Sequence, residues 1–236
     1  GAEQATYDPP AITQTTHYRR CVRRSRCSAF TNSMAVIKEV VTNYTDAGII
    51  VGNEENCGIY DPGIIASALE PSGGVGVGTE EYVWQKSTDG GATWTNILNS
   101  NSDTYDPGVI NQTTMYRRGA RKSPCLPWLW SNTVTKMVVV NFTDAGSVAG
   151  DESVCGPYDP GLISSVSAAS GGLEGWPQYQ WELSTDGGLT WTDIPGATGL
   201  THDPVFIIQT TQYRRKARRS PCASWVNSNV VTKTVK

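Results

Sequence analysis

Thr113-Thr114-Met115-Tyr116-Arg117-Arg118-Gly119-Ala120 is the stretch that decides the fold. Strand alternation puts Tyr116, Arg118 and Ala120 on one face. An inward tyrosine then draws an arginine into the interior, where its charge needs a carboxylate or an aromatic face. A turn aspartate, Asp89 or Asp106, is the expected partner. The Thr-Thr-x-Tyr-Arg-Arg core also begins at Thr15 and Thr210, at spacings of 98 and 97 residues, and Cys27, Cys125 and Cys222 recur at the same intervals. A fixed period of this length is the mark of a tandem array.

Other landmarks share the register. Asn43-Tyr44-Thr45-Asp46-Ala47-Gly48 returns as Asn141-Phe142-Thr143-Asp144-Ala145-Gly146, Cys57 as Cys155, and Trp84 and Trp94 as Trp181 and Trp191. Ser131 to Val138 matches Ser228 to Val235, so a unit closes just before the Asn-aromatic-Thr-Asp-Ala-Gly block. Residues 42–139 and 140–236 are complete repeats, and residues 1–41 read as the C-terminal part of an incomplete one. Opening in mid-repeat, without an initiator Met or an apolar leader, the chain reads as a segment of a longer one. The last strands of a sandwich leave an apolar face open, so residues 1–41 are expected to be ordered only when the rest of that unit is supplied.

A repeat of about 97 residues is the size of one small domain. Helical periodicity is missing, and runs such as Thr133 to Val140 and Tyr82 to Gln85 favour β-branched and aromatic residues between turn signals, which predicts an all-β fold. Each complete repeat has two cysteines about 68 positions apart, Cys57 with Cys125 and Cys155 with Cys222. Their recurrence predicts one disulfide per repeat and an oxidising, extracellular compartment. Cys21 stands where the other repeats have Gly119 and Lys216. It either bonds Cys27 locally, the favoured expectation, or is an extra thiol beside a Cys27 whose partner lies upstream.

Ser87-Thr88-Asp89-Gly90-Gly91-Ala92-Thr93-Trp94 and its copy over residues 184–191 fit the Asp-box pattern. Ser87, Asp89, Gly91 and Trp94, with Ser184, Asp186, Gly188 and Trp191, predict a hairpin in which the carboxylate caps a tight turn and the Trp folds back as a plug. Asp-boxes also occur in sialidases, but a propeller blade takes about 40–50 residues, and one box per repeat suits a sandwich. The histidines do not recur: His17 aligns with Met115 and Gln212, and His202 with Tyr7 and Tyr105. No catalytic residue is therefore expected. The Gly73-to-Gly78 run has the wrong spacing for a phosphate cradle and reads as a variable surface loop.

The net charge of −3 speaks against nucleic acid despite local arginine clusters. No apolar run is long enough to span a membrane. Asp-Pro-Gly turns and Thr45-Asp46-Ala47-Gly48 offer oxygen ligands that leave calcium open as a cofactor, and no other cofactor is expected. Of eight tryptophans, only Trp130 and Trp176 have no repeat partner, which makes them the candidate surface contacts.

Tyr179-Gln180-Trp181, the Asp-box, Ile194-Pro195-Gly196-Ala197-Thr198, Gln209 to Arg215 and Ser228 to Thr232 together resemble repeats of giant Bacteroidetes cell-surface proteins, including gliding-motility adhesins and other type IX secretion substrates. The resemblance implies tandem Ig-like or PKD-like β-sandwich repeats exported to the cell surface. The expected function is a structural segment of an extracellular adhesin or surface filament, a disulfide-stapled rod in cell adhesion or gliding motility. Its partners would be neighbouring repeats, surface glycans or other filament subunits. A strand running almost without linker into the next unit limits bending, and about ten residues at roughly 3.3 Å give on the order of 35 Å per unit. The alternatives are a carbohydrate-binding module of a secreted enzyme and, less favoured, a sialidase-like glycosidase fragment.

Overall fold

The computed structural model describes residues 3–236, and residues 1–2 of the incomplete repeat lie outside the described residues. Among the described residues every regular element is a strand. The N-terminal segment contributes β1 (Thr16–Tyr18), β2 (Cys21–Val22), β3 (Thr31–Asn32) and β4 (Val36–Lys38), which form one antiparallel ribbon by pairing β1 with β4 and β2 with β3. The first complete unit holds β5 (Ile49–Val51), β6 (Glu54–Cys57), β7 (Ala66–Leu69), β8 (Thr79–Ser87), β9 (Thr95–Asn96), β10 (Thr114–Ser123) and β11 (Leu129–Val139). The second repeats them as β12 (Val148–Ala149), β13 (Glu152–Val154), β14 (Ser164–Ser165), β15 (Trp176–Ser184), β16 (Thr192–Asp193), β17 (Thr211–Ser220) and β18 (Val226–Val235).

Each complete unit is an Ig-like sandwich. The larger sheet has the order β6-β11-β10-β8-β9, copied as β13-β18-β17-β15-β16. Its first strand pairs in parallel, Lys136 opposite Glu54 and Val139 opposite Cys57, while its other pairs are antiparallel. The smaller sheet pairs β5 with β7 and is widened by the bridges Ile65–Tyr105 and Tyr60–Ile110.

Between the sheets lie Ile50, Ile65, Trp84, Tyr116 and Val134, and their counterparts Val148, Ile163, Trp181, Tyr213 and Val231. These are the apolar positions that alternation assigns to the inner faces. Trp84 is buried and donates its indole N–H to Ser102 O at 2.8 Å, which satisfies its one polar atom. Tyr105 bridges Trp84 and Tyr116 with ring centroids 5.5 and 5.7 Å away. In the second unit His202 fills that place between Trp181 and Tyr213, at 5.5 and 5.7 Å.

Arg118 is fully buried, as strand alternation requires, but its partners are not carboxylates. One terminal nitrogen donates to Ser67 Oγ at 2.8 Å and Asp103 O at 2.9 Å, and the other to Ala47 O at 3.1 Å and Leu69 O at 3.4 Å. The guanidinium lies over Tyr82, 5.2 Å from the ring centroid, as Arg215 lies over Tyr179 at 5.0 Å. The expected aspartate partner is thus replaced by backbone carbonyls of the opposing sheet and its loops. Asp89 is committed to its own hairpin and Asp106 Oδ1 accepts from Gly108 N. Arg215 makes the same set with Ser165, Leu200, Ala145 and Ser167.

Two outcomes are expected from this core. Arg118→Lys removes the planar fork and strands several carbonyls, which should lower stability by about 2–4 kcal/mol in urea unfolding, while Arg121→Lys on the surface should cost under about 1 kcal/mol. Equal losses would show that the buried fork is unimportant. Burial pushes the His202 imidazole below its ordinary value, against the opposing pull of Asp203. A lowered folded value means stability is fully present above the unfolded value, about 6.5, and is lost as pH falls toward the folded one. Between pH 7.5 and 5 the second unit should lose stability in urea melts monitored unit by unit, and His202→Tyr, the residue of the first unit, should flatten that dependence.

Candidate functional site: the junction between units

Cys57 and Cys222 form a disulfide with Cα atoms 4.9 Å apart, across 165 residues of chain. It joins the first complete unit to the second. The expected pairs within each repeat, Cys57 with Cys125 and Cys155 with Cys222, are not made, and Cys125 and Cys155 are free. The reason is strand length. Cys57 ends β6 opposite Val139, the last residue of β11, whereas Cys125 lies in the turn that precedes β11. Eleven residues of strand at about 3.3 Å each separate those two ends, many times the reach of a disulfide. The turn of the next unit, by contrast, is delivered to the trailing end of the first.

Cys21 and Cys27 are also unbonded. Cys21 is fixed in β2 opposite Asn32, while Cys27 sits in the turn beyond that strand, its N–H donating to Arg24 O at 3.0 Å. The corresponding turns hold Cys125 on Lys122 O at 2.8 Å and Cys222 on Arg219 O at 2.7 Å. The local bond expected between Cys21 and Cys27 is therefore replaced by a turn that all three repeats share.

Residues on either side of the junction position the two sulfurs. β6 is held against β11 by Lys136, which is almost without solvent exposure and donates to Glu54 Oε2 at 2.9 Å. That hydrogen bond holds the Glu54 carboxyl below its usual range, helped by Gly63 N–H. Lys233 and Glu152 repeat the pair at 3.0 Å, and Lys233 likewise lowers the Glu152 carboxyl. At the leading end of the second unit, Asn141 donates to Ser224 O at 2.8 Å and accepts from Arg219 N at 2.7 Å, which clips the incoming chain to the turn carrying Cys222. Asn43 does the same with Pro127 O and Lys122 N.

The glycine-rich run expected to be a variable surface loop is instead the seat of the incoming chain. Thr42 N donates to Val75 O at 3.0 Å, and Val140 exchanges two 2.9 Å backbone bonds with Leu173. A Cβ on Gly175 would overlap Ser220 O and lie 2.8 Å from Val139 Cγ1, and one on Gly78 would overlap Ser123 O and lie 2.7 Å from Val41 Cγ1. Only glycine lets the backbones approach this closely. The recurrence of Gly73-Gly74 as Gly171-Gly172 was the signal for it in the sequence.

The remaining candidate residues lie away from the junction. In the Asp-box, Gly91 N donates to Ser87 Oγ at 2.9 Å, Thr93 N to Asp89 Oδ1 at 2.9 Å, and the Trp94 indole to Gly91 O at 3.0 Å. Ser184, Asp186, Gly188 and Trp191 copy this. Hydrogen bonds from Ser87 and Thr93 hold the Asp89 carboxyl far below the usual range, and those from Thr190 and Ser184 do so for Asp186. Trp130 is not a free contact face: Arg117 is sandwiched 4.3 Å from both Trp94 and Trp130, and a Cβ on Gly119 would lie 2.9 Å from the Trp130 ring. The second unit has Lys216 there, bound to Glu182 and Asp193. Trp176 remains 78 % exposed. Asp46 and Asp144 each accept a 2.8 Å bond within their own turns, from Gly48 and Gly146, and no group of three or more His, Cys, Asp or Glu residues suited to a metal occurs among the described residues.

A family model described as Domain of unknown function (DUF8696) matches residues 46–141 and again residues 144–236. The chain belongs to this family. Its two DUF8696 copies meet at the junction just described, so the disulfide links one copy to the next. No curated protein matches the chain. Solved structures similar to it include the FN1–FN3 domains of chicken CNTN1, 10 % identical over 93 % of this chain and 78 % of that one with a TM-score of 0.33. The three N-terminal domains of the bacteriophage RB49 Highly Immunogenic Outer Capsid protein (Hoc) are 12 % identical over 98 % and 92 %, with a TM-score of 0.42. The D0–D1 domain of Intimin is 12 % identical over 82 % and 100 %, with a TM-score of 0.23.

Substitution at the junction separates close approach from backbone strain. Gly175 and Gly187 both have positive φ, +64° and +75°, but a Cβ on Gly187 meets nothing within 4 Å. Gly187→Ala should cost about 1 kcal/mol in urea unfolding and Gly175→Ala about 2–4 kcal/mol, the excess coming from the Ser220 carbonyl, which the added Cβ overlaps, together with Val139 Cγ1 at 2.8 Å. Equal costs would mean that the Ser220 strand and the junction valine both yield freely.

Proposed function

We propose that the chain is a load-bearing segment of an extracellular adhesin or surface filament, in which DUF8696 units are stapled to their neighbours. The observation that supports this most is the Cys57–Cys222 bond between units. A bond inside a unit guards one core, whereas a bond between units protects a joint. A chain that reaches across 165 residues to close such a bond suits an oxidising location. The seating of Thr42 and Val140 on the glycine-rich loops shortens the linker to almost nothing, which stiffens the array. The reading is non-enzymatic. A cell-surface role in adhesion or gliding motility, with export by a type IX route in a Bacteroidetes host, follows the resemblance of the repeats.

A second reading is supported by the exposed Trp176, whose ring is free for stacking on a sugar. Glycan-array binding that disappears in Trp176→Ala would favour a carbohydrate-binding module, and no binding leaves the stalk alone.

Mechanical load gives the direct test. Pulled by its two ends, the reduced chain should release its full length, and the oxidised chain should stop short by the 165 residues within the disulfide, roughly 550–600 Å. Equal final lengths would refute the stapled stalk. Labelling of intact cells with an antibody to residues 42–236, lost after external protease, tests the location.

A further inference from the structure

Cys125 is the repeat equivalent of Cys222, and its surroundings match. Val41 stands for Val139, and each lies against the glycine that immediately precedes the first long strand of the next unit, Gly78 before β8 or Gly175 before β15. Cys125 Sγ is 3.8 Å from Val41 O. Asn43 clips the turn of Cys125 as Asn141 clips that of Cys222. Residues 38–41, which begin at the last residue of β4, correspond to Lys136–Val139, the part of β11 that carries β6. The register of that pair, Lys136 with Glu54 and Val139 with Cys57, places a strand beside residues 38–41 with its cysteine opposite Val41.

The trailing end of the second unit shows the other half of the same joint. β13 pairs in parallel with β18, Val154 opposite Val235, and Gly156 N donates to Lys236 O at 3.1 Å. Gly58 N donates to Val139 O at 2.8 Å in the same way. Cys155 therefore stands beside Lys236 as Cys57 stands beside Val139, and it is exposed.

We propose that Cys155 and Cys125 are inter-unit bonding sites whose partners are cysteines of further repeats of this type. Cys155 takes the late cysteine of a repeat that follows Lys236. Cys125 takes the early cysteine of the repeat whose last strands lie in residues 1–41. Each bond forms by thiol–disulfide exchange: the two protein thiols lose two protons and two electrons to a small disulfide, which leaves as two thiols. The early cysteine of every unit is thereby bound to the late cysteine of the next. Because 30 residues separate Cys27 from Cys57 and Cys125 from Cys155, two interleaved covalent lines run along the array, each alternating a 30-residue segment with a disulfide. The inference rests on the repeat alone and is independent of where the array is displayed.

The test extends the full chain at Lys236 with a second copy of residues 140–236 that carries Val230→Ile as a mass mark on its late-cysteine peptide, folded in a mixture of reduced and oxidised glutathione, digested and mapped by mass spectrometry. Cys155 should be bonded to the late cysteine of the added copy in the same proportion as Cys57 to Cys222. The latter bond, in the same digest, reports that the chain has folded. Cys155 bonded to Cys222, or Cys155 still open to alkylation while Cys57–Cys222 is formed, would overturn the proposal. In Cys155→Ser, the added late cysteine should become stoichiometrically alkylatable with Cys57–Cys222 retained. Its disappearance into another bond would count equally against the assignment.

Discussion

A guanidinium without water around it must find acceptors, and Arg118 finds them in the backbone of the opposite sheet. Its carbonyl partners at Ala47, Leu69 and Asp103 belong to segments far apart in the chain, so a single side chain ties the strand of the repeated block to the strand and loops that face it. Carbonyls suit this task better than a carboxylate would in one respect. They are fixed by strands already in place, and they demand no second buried charge. Around this fork the core is assembled from Trp84, Tyr116 and the aliphatic residues between the sheets, and the same solution is written again around Arg215.

Much of the fold was legible because a period reveals which residues a unit requires. Tyr116, Arg118 and Ala120 alternate as a strand must, and all three are buried. The partner of Arg118 was not legible, since backbone carbonyls carry no residue signature. The buried lysines, Lys136 and Lys233, were recurrent in the terminal strand, but alternation alone does not say that a glutamate from a parallel neighbour receives them. His202 failed to match its counterparts as a chemical group and still fits as an aromatic ring.

The cysteines teach a different lesson. Recurrence established how many there are per unit, and the simplest pairing kept each pair within its own period. Geometry forbids this, because the early cysteine closes a strand at one end of the sandwich and the late cysteine occupies a turn at the other. Two halves of one bond can belong to different repeats and still recur with the same period. The glycine-rich segments carried the complementary clue, since Gly78 and Gly175 are where the preceding unit's last valine comes to rest.

The bond between Cys57 and Cys222 also changes what it means to break the backbone. The two residues close a covalent ring that contains the passage from one unit to the next. A single cut anywhere within that ring, including at Val139 and Val140, opens the ring but leaves every atom of the chain connected. Damage that would divide an ordinary string of domains into two pieces becomes a local nick, and a second, separate break in the same ring is needed to release a fragment.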